Sequence, residues 1–258
     1  MNSISRRRMI SQGMLGGAMV GAGLRVAAAS TAEATATPAR RKLRVMVTGG
    51  HPGDPEYGCG GTIGRYASRG DEVLLLYLNK GDPAETASRP ASEVRVSEAG
   101  EACRVLGARP VFAGQIDGHA VVDPEHYERF RKLLQEQSPD AVFTHWPIDN
   151  HADHRAMFNL VYDAWIRLGR KFALYFYEVS TGEDTVQFSP TDYVDITATA
   201  ARKRKACYAH ASQSPDRYYA LQESVTRMRG LENGFGQAEA FVRHVQSPPF
   251  PLPLKPSE

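Results

Sequence analysis

Cysteine is scarce in this chain: Cys59, Cys103 and Cys207 are the only three in 258 residues. An odd number without paired spacing excludes a disulfide framework and a C-x-x-C zinc site, and leaves each as a small buried side chain. Long runs of one charge are also missing. Thirty-one basic residues against 29 acidic ones give a formal net charge of +2, which excludes the basic footprint of a nucleic-acid-binding surface. No internal repeat is evident. Nor does the chain offer ~20 uninterrupted apolar residues for a stable membrane span; the N-terminal candidate is broken by Arg25 and scattered Gly and Ser. What remains, at 42% hydrophobic, suits a globular core.

The first 29 residues read differently from the rest. Ser5 to Ile10 (SRRRMI) is followed by a weakly apolar Gly/Ala stretch and by Ala27 to Ala29, the order of a charged region, a short apolar region and a cleavage site. Paired arginines before a mildly apolar segment predict a twin-arginine-type signal peptide over 1–29, and so a periplasmic or extracellular protein. A basic tail or an uncleaved anchor is the alternative. Residues 30–41 are Thr/Ala/Pro-rich and read as a linker, and 247–258 as a Pro-rich tail.

Between them, 42–246 alternates short apolar runs with amphipathic segments. Strands are expected at Leu43–Thr48, Glu72–Leu78, Val111–Phe112, Ala141–Thr144, Leu174–Tyr177 and Tyr193–Asp195. Helices are expected at Gly58–Arg69, Ser92–Leu106, His126–Gln137, Asp153–Leu168, Thr197–His210 and Tyr218–Arg229. Strands alternating with helices of roughly 10 to 15 residues predict βαβ units, hence an α/β fold with a parallel sheet in a single domain.

Ligands of open parallel sheets bind beyond the carboxyl ends of the strands. Two such segments carry unusual residues: Gly49 to Glu56 (GGHPGDPE) and His145 to His154 (HWPIDNHADH), holding four of the eight histidines in eighteen positions. A catalytic zinc needs about three His or carboxylate ligands with one position left for water. His51 and Asp54 are three apart, as are His151 and His154, so each pair can address one ion. A set without thiolates suits zinc, with iron or cobalt as alternatives. Between the loops, Gly58, Gly60, Gly61 and Gly64 superficially resemble a dinucleotide fingerprint. A true fingerprint opens directly after its strand, so these glycines are read instead as letting the first helix start tightly.

The stretches GGHPGDPEYGCGGT and THWPIDNHADHRA, with GQIDG, FSPTDYVDIT, HASQ and AEAF in support, resemble the PIG-L / LmbE-like family of zinc-dependent N-acetylglucosaminyl deacetylases over about residues 43–245. The resemblance implies a Rossmann-like, mostly parallel sheet with helices on both faces. It also implies a metal held by His51, Asp54 and His154, and removal of an N-acyl group from an amino sugar or glycoconjugate. His151, as imidazolium, would stabilise the oxyanion, with Asp153 orienting a neighbouring histidine. The family's first motif reads H-P-D-D-x-E, and the aspartate usually taken as general base corresponds here to Gly53. Asp149, Glu56 or His151 are candidates to replace it; a non-catalytic or weakly active metal and glycan binder is the alternative. Substrate contacts are expected from Trp146, Asp117, His119, Glu178, Glu183 and His210.

Overall fold

A computed structural model describes residues 40–83 and 89–253. The expected signal peptide and nearly all of the linker lie outside the described residues, as do positions 254–258 of the Pro-rich tail. Residues from Arg41 onward form one compact unit.

The chain runs β1 (Arg44–Gly49), α1 (Asp54–Ser68), β2 (Glu72–Pro83), α2 (Arg89–Leu106), β3 (Arg109–Asp117), α3 (Pro124–Gln137), β4 (Ala141–His145) and α4 (Ala152–Arg167). Then come β5 (Ala173–Tyr177), β6 (Asp192–Asp195), α5 (Ala200–Tyr208), α6 (Pro215–Asn233) and β7 (Ala238–Arg243). The strands form one sheet in the order β3-β2-β1-β4-β5-β7-β6. β1 to β5 are parallel, while β7 runs antiparallel to β5 and β6 antiparallel to β7. The fold is thus the expected mostly parallel α/β sheet.

Alternation along the strands explains the two helix layers. Val45 and Val47 of β1 face a core shared with Ile63 and Tyr66 of α1 and Ala99 and Leu106 of α2. Met46, between them, faces the opposite core, with Leu134 of α3 and Met157 and Leu160 of α4. Strands buried on both faces read as continuous apolar runs, which is why most were visible in the sequence. β7 was not: AEAFVR carries a glutamate and an arginine, and its Glu239 is spent inside the fold. Glu239 accepts hydrogen bonds from Lys203 Nζ (2.6 Å) and from the backbone N–H groups of Gly61 and Thr62 (2.8 and 2.7 Å).

The glycine cluster has a different role from the one expected. α1 already begins at Asp54, so the glycines lie inside it rather than at its start. A Cβ on Gly58 would sit 2.3 Å from the Tyr177 ring, one on Gly61 2.5 Å from Ile196, and one on Gly60 2.9 Å from Lys203. They let the α1 backbone approach the sheet and α5 more closely than any side chain permits.

Candidate functional site

β1 and β4 are neighbours, paired Val45 with Ala141 and Val47 with Phe143, although they are far apart in sequence. β2 and β3 lie on one side of this pair and β5 on the other, so strand order reverses here. The loops leaving β1 and β4 therefore open side by side at a topological switch point, where open α/β sheets place their ligands. Asp54 is the first residue of α1, and His151 is the N-cap of α4, its Nδ1 accepting from Asp153 N–H at 3.2 Å.

The two loops bring their histidines and carboxylates into one cluster. Asp54 Oδ2 lies 3.4 Å from His51 Nδ1, 3.3 Å from His154 Nε2 and 3.3 Å from His145 Nε2. The His145 and His154 rings stack at 4.0 Å, and His151 lies 4.6 Å from both His51 and His154. Three overlapping sets have donor atoms within 4.8 Å of one another: His51, His151 and His154; Asp54, His145 and His154; His51, Asp117 and Asp153.

Hydrogen bonds decide which donors remain for a cation. His154 Nδ1 is bonded to Asp149 Oδ1 at 3.0 Å, while its buried Nε2 has no hydrogen-bond partner. His51 Nε2 is bonded to Asp117 (3.0 Å) and Asp153 (3.2 Å), which turns Nδ1 towards Asp54. His145 Nε2 accepts from Gly50 N–H at 3.0 Å, so its lone pair is occupied. His51 Nδ1, Asp54 Oδ2 and His154 Nε2 are left, an oxygen and two imidazole nitrogens with outer carboxylates fixing ring orientation. This is a fitting donor set for zinc.

The electrostatics agree. Burial pushes His154 down, but the Asp54 and Asp149 carboxylates more than reverse it, to about 9. Burial likewise opposes the charge on Asp54, yet His154, His145 and His51 hold it well below the usual carboxylate range. Burial and the nearby His154 push His145 down to about 4. Positive charge is drawn to the point between Asp54 and His154, where a bound cation would take the proton's place. His151 is shifted down, first by burial and then by His51 and His154. With Nδ1 accepting from Asp153 N–H, it is a neutral ring carrying its proton on Nε2, not the expected imidazolium.

A cleft of about 250 Å³ opens over this cluster. Asp117 and His151 line it together with His51, Asp54 and His154. Asp149 and Asp153 lie just behind: Asp149 bonds His154 Nδ1, His151 N–H and Thr185 Oγ1, and Asp153 bonds His51, Asn79 and Gly118 N–H. Both act through their neighbours. Glu56 is not available for proton transfer in the cleft. It is fully buried, accepting from Tyr77 Oη (2.6 Å) and Gly53 N–H (3.2 Å) and bonded to His210 Nε2 (3.0 Å), and His210 is buried with it. Glu178 is held in a buried ion pair with Arg229 at 2.7 Å. Trp146 packs against Phe176 and Phe188, His119 and Glu183 are exposed, and none of these lines the cleft.

Three residues of the site were not expected from the sequence. His145 ends β4 and is fully buried; its place in the HWPIDNHADH run was the available signal. Arg95 of α2 lines the cleft with its guanidinium 3.9 Å from Asp117. Asp184 lines the opposite wall. Gly53, which lines the cleft, has φ +114° and ψ −39°, a backbone conformation open to glycine and few other residues. Space is not the constraint, since a Cβ there would meet only Tyr57 at 3.6 Å and His210 at 4.0 Å.

Residues 46–165 match the family described as PIG-L, GlcNAc-PI de-N-acetylase, a span containing both histidine-rich loops. Among solved structures, the conserved protein TT1542 from Thermus thermophilus is 28% identical. That alignment has a TM-score of 0.69 and covers 83% of this chain and 100% of that one. The N,N'-diacetylchitobiose deacetylase from Pyrococcus horikoshii is 23% identical, with a TM-score of 0.67 over 78% of this chain and 84% of that one. GalB, the 4-carboxy-2-hydroxymuconate hydratase from Pseudomonas putida, shares the fold at 21% identity, with a TM-score of 0.70 over 81% of this chain and 99% of that one. With the family match spanning both histidine-rich loops, residues 46–165 of this chain carry a PIG-L-family domain.

Proposed function

We propose that this protein is a zinc-dependent N-deacylase that releases an acyl group, acetyl in the first instance, from an amino sugar or glycoconjugate. The observation that carries the reading is the buried, unpartnered His154 Nε2 facing Asp54 Oδ2 at 3.3 Å, beside a histidine already oriented by two outer carboxylates. His51 Nδ1, Asp54 and His154 Nε2 would hold the zinc, which would supply Lewis-acid polarisation of the amide carbonyl and a more acidic water; iron or cobalt would serve the same donors.

The chain's own groups do the rest. Asp149 and Asp153 fix the rings of His154 and His51. His151 offers its Nε2–H to the oxygen that gains charge as the carbonyl is attacked, the preorganised donor such a step requires. The Arg95–Asp117 pair sets a donor beside an acceptor in the cleft wall, suited to neighbouring hydroxyls of a pyranose. Export by a twin-arginine-type route belongs to the same proposal and rests on the sequence of residues 1–29. No helix among the described residues is long and apolar enough to cross a membrane.

Two measurements test the reading: metal content of the purified protein and acetate release from a panel of N-acetyl amino sugars. About one zinc per chain, with activity lost in His154→Ala, is the expected result. Full activity in that variant removes the ligand assignment.

A second reading, a metal and glycan binder without turnover, is favoured by one observation: the φ of +114° at Gly53, where the family's aspartate is absent. Glycan binding without acetate release at full zinc loading would establish it.

A further inference from the structure

With glycine at position 53, the water that attacks the amide needs another proton acceptor. Most carboxylates around the cleft are committed. Asp117 holds His51 and lies beside Arg95. Asp153 holds His51, Asn79 and Gly118 through Oδ2, and although its buried Oδ1 has no partner it does not line the cleft; Asp149 holds His154, His151 and Thr185; Glu56 is sealed beneath the loop by Tyr77 and His210.

Asp184 differs. It lines the same cleft as His51, Asp54, His151 and His154, from the wall opposite Arg95 and Asp117, and among the described residues Ser180 is the one side chain hydrogen-bonded to its carboxylate. Its backbone is fixed by two hydrogen bonds. Asp184 N–H donates to Ser180 at 2.8 Å, and Asp184 C=O accepts from Asn150 N–H at 2.9 Å. The next residue, Thr185, donates its hydroxyl to Asp149, the carboxylate that orients His154. The loop carrying Asp184 is therefore bolted to the metal-facing histidine through two side-chain hydrogen bonds. Burial, together with Asp149 and Asp54, raises the Asp184 carboxyl against the lowering effect of His154 and Ser180, the direction that suits a group exchanging protons near neutrality.

We propose that Asp184 is the proton-transfer residue of this site, replacing from the opposite wall the carboxylate that Gly53 lacks. The assignment rests on the deacylase reading for its reaction. The Asp184 carboxylate takes one proton from water as the water oxygen bonds to the carbonyl carbon. It returns that proton to nitrogen as the C–N bond breaks, so water and amide become carboxylic acid and amine with no other reactant.

The test uses zinc-loaded protein and two probes. Acetohydroxamate, on binding a zinc site, gives up a proton to a neighbouring base, so its affinity reports the acceptor without any substrate. In Asp184→Asn, zinc content and thermal midpoint are expected to stay unchanged, hydroxamate affinity to fall about 10-fold, and kcat for acetate release to fall about 10²- to 10³-fold with KM little altered. Asp184→Ser, which removes the carboxylate differently, is expected to behave alike. Unchanged hydroxamate affinity in both variants, or loss of zinc from both, overturns the assignment whatever the rate does. If affinity falls as expected but wild-type protein releases acetate from none of the amino sugars, the substrate reading fails and Asp184 stands as the proton acceptor.

Discussion

Asp149 offers the sharpest check on how the metal centre is built. It is nearly fully buried, and each oxygen has a partner: Oδ1 accepts from His154 Nδ1 at 3.0 Å and His151 N–H at 2.8 Å, and Oδ2 accepts from Thr185 Oγ1 at 3.0 Å. Asp149→Asn preserves the shape. Its amide oxygen can still accept from the histidine and the backbone, and the Thr185 hydroxyl can turn to accept from the new amide. What is lost is the charge that makes His154 a better ligand. Removing such an outer partner costs about 10- to 100-fold in metal affinity, roughly 1.4 to 2.8 kcal/mol, and Asp149→Asn belongs at the lower end. Asp149→Ala belongs at the upper end. It also leaves the half-buried His151 N–H without its partner, costing about 1 kcal/mol, the low end for such a group, in stability of the metal-free protein. Competition with a chelator at fixed pH measures the first quantity and urea unfolding the second. If both variants bind zinc within threefold of wild type, Asp149 does not orient His154 and the ligand geometry described above is wrong.

Other substitutions probe the frame around the site. Gly53→Asp, which restores the family's residue, is expected to lower stability by about 1–3 kcal/mol because φ is +114°; a neutral urea midpoint would refute the strain. Gly58→Ala drives a methyl to within 2.3 Å of the Tyr177 ring, an overpacking cost of about 1–3 kcal/mol. Since Tyr177 Oη donates to Thr48 C=O at 2.7 Å and contacts His145 Nε2 at 3.3 Å, zinc affinity should fall with it. Lys203→Met removes one half of an ion pair that is 1% exposed on both sides and strands Glu239, an expected loss of about 3–5 kcal/mol. A shift in urea midpoint equivalent to less than about 1 kcal/mol, the low end for a single buried polar group, would show that Gly61 and Thr62 satisfy Glu239 unaided.

Much of the fold was legible because parallel strands buried on both faces leave continuous apolar runs such as Val73 to Leu78. Those strands delivered the two loops, and with them His51, Asp54, His151 and His154. β7 hid because its two charged residues are bonded to partners distant in sequence or beyond the strand's end. β2 and β3 run further than expected, to Pro83 and Asp117, because their outer ends pair with each other rather than packing apolar side chains. The residues that shape the cleft were less accessible still. Arg95 lies on a helix and Asp184 in a turn, neither in a motif, and only the order of strands brings them to opposite walls. Glu56 and Glu178 looked like free carboxylates in a loop and at a strand end, and burial with specific partners removed them.

The pairing of β1 with β4 has a consequence for how the protein comes to hold its metal. His51 and Asp54 leave the ribosome long before His154, and until Val45 meets Ala141 and Val47 meets Phe143 the early half-site has only two donors to offer. A nascent or half-refolded chain can therefore make only a weak, exchangeable contact with zinc. On the proposed assignment, the three-donor site is complete only once the central strands have paired. The proposed zinc would then be captured late, and the kinetics of its uptake are expected to report completion of the sheet rather than collapse of its parts.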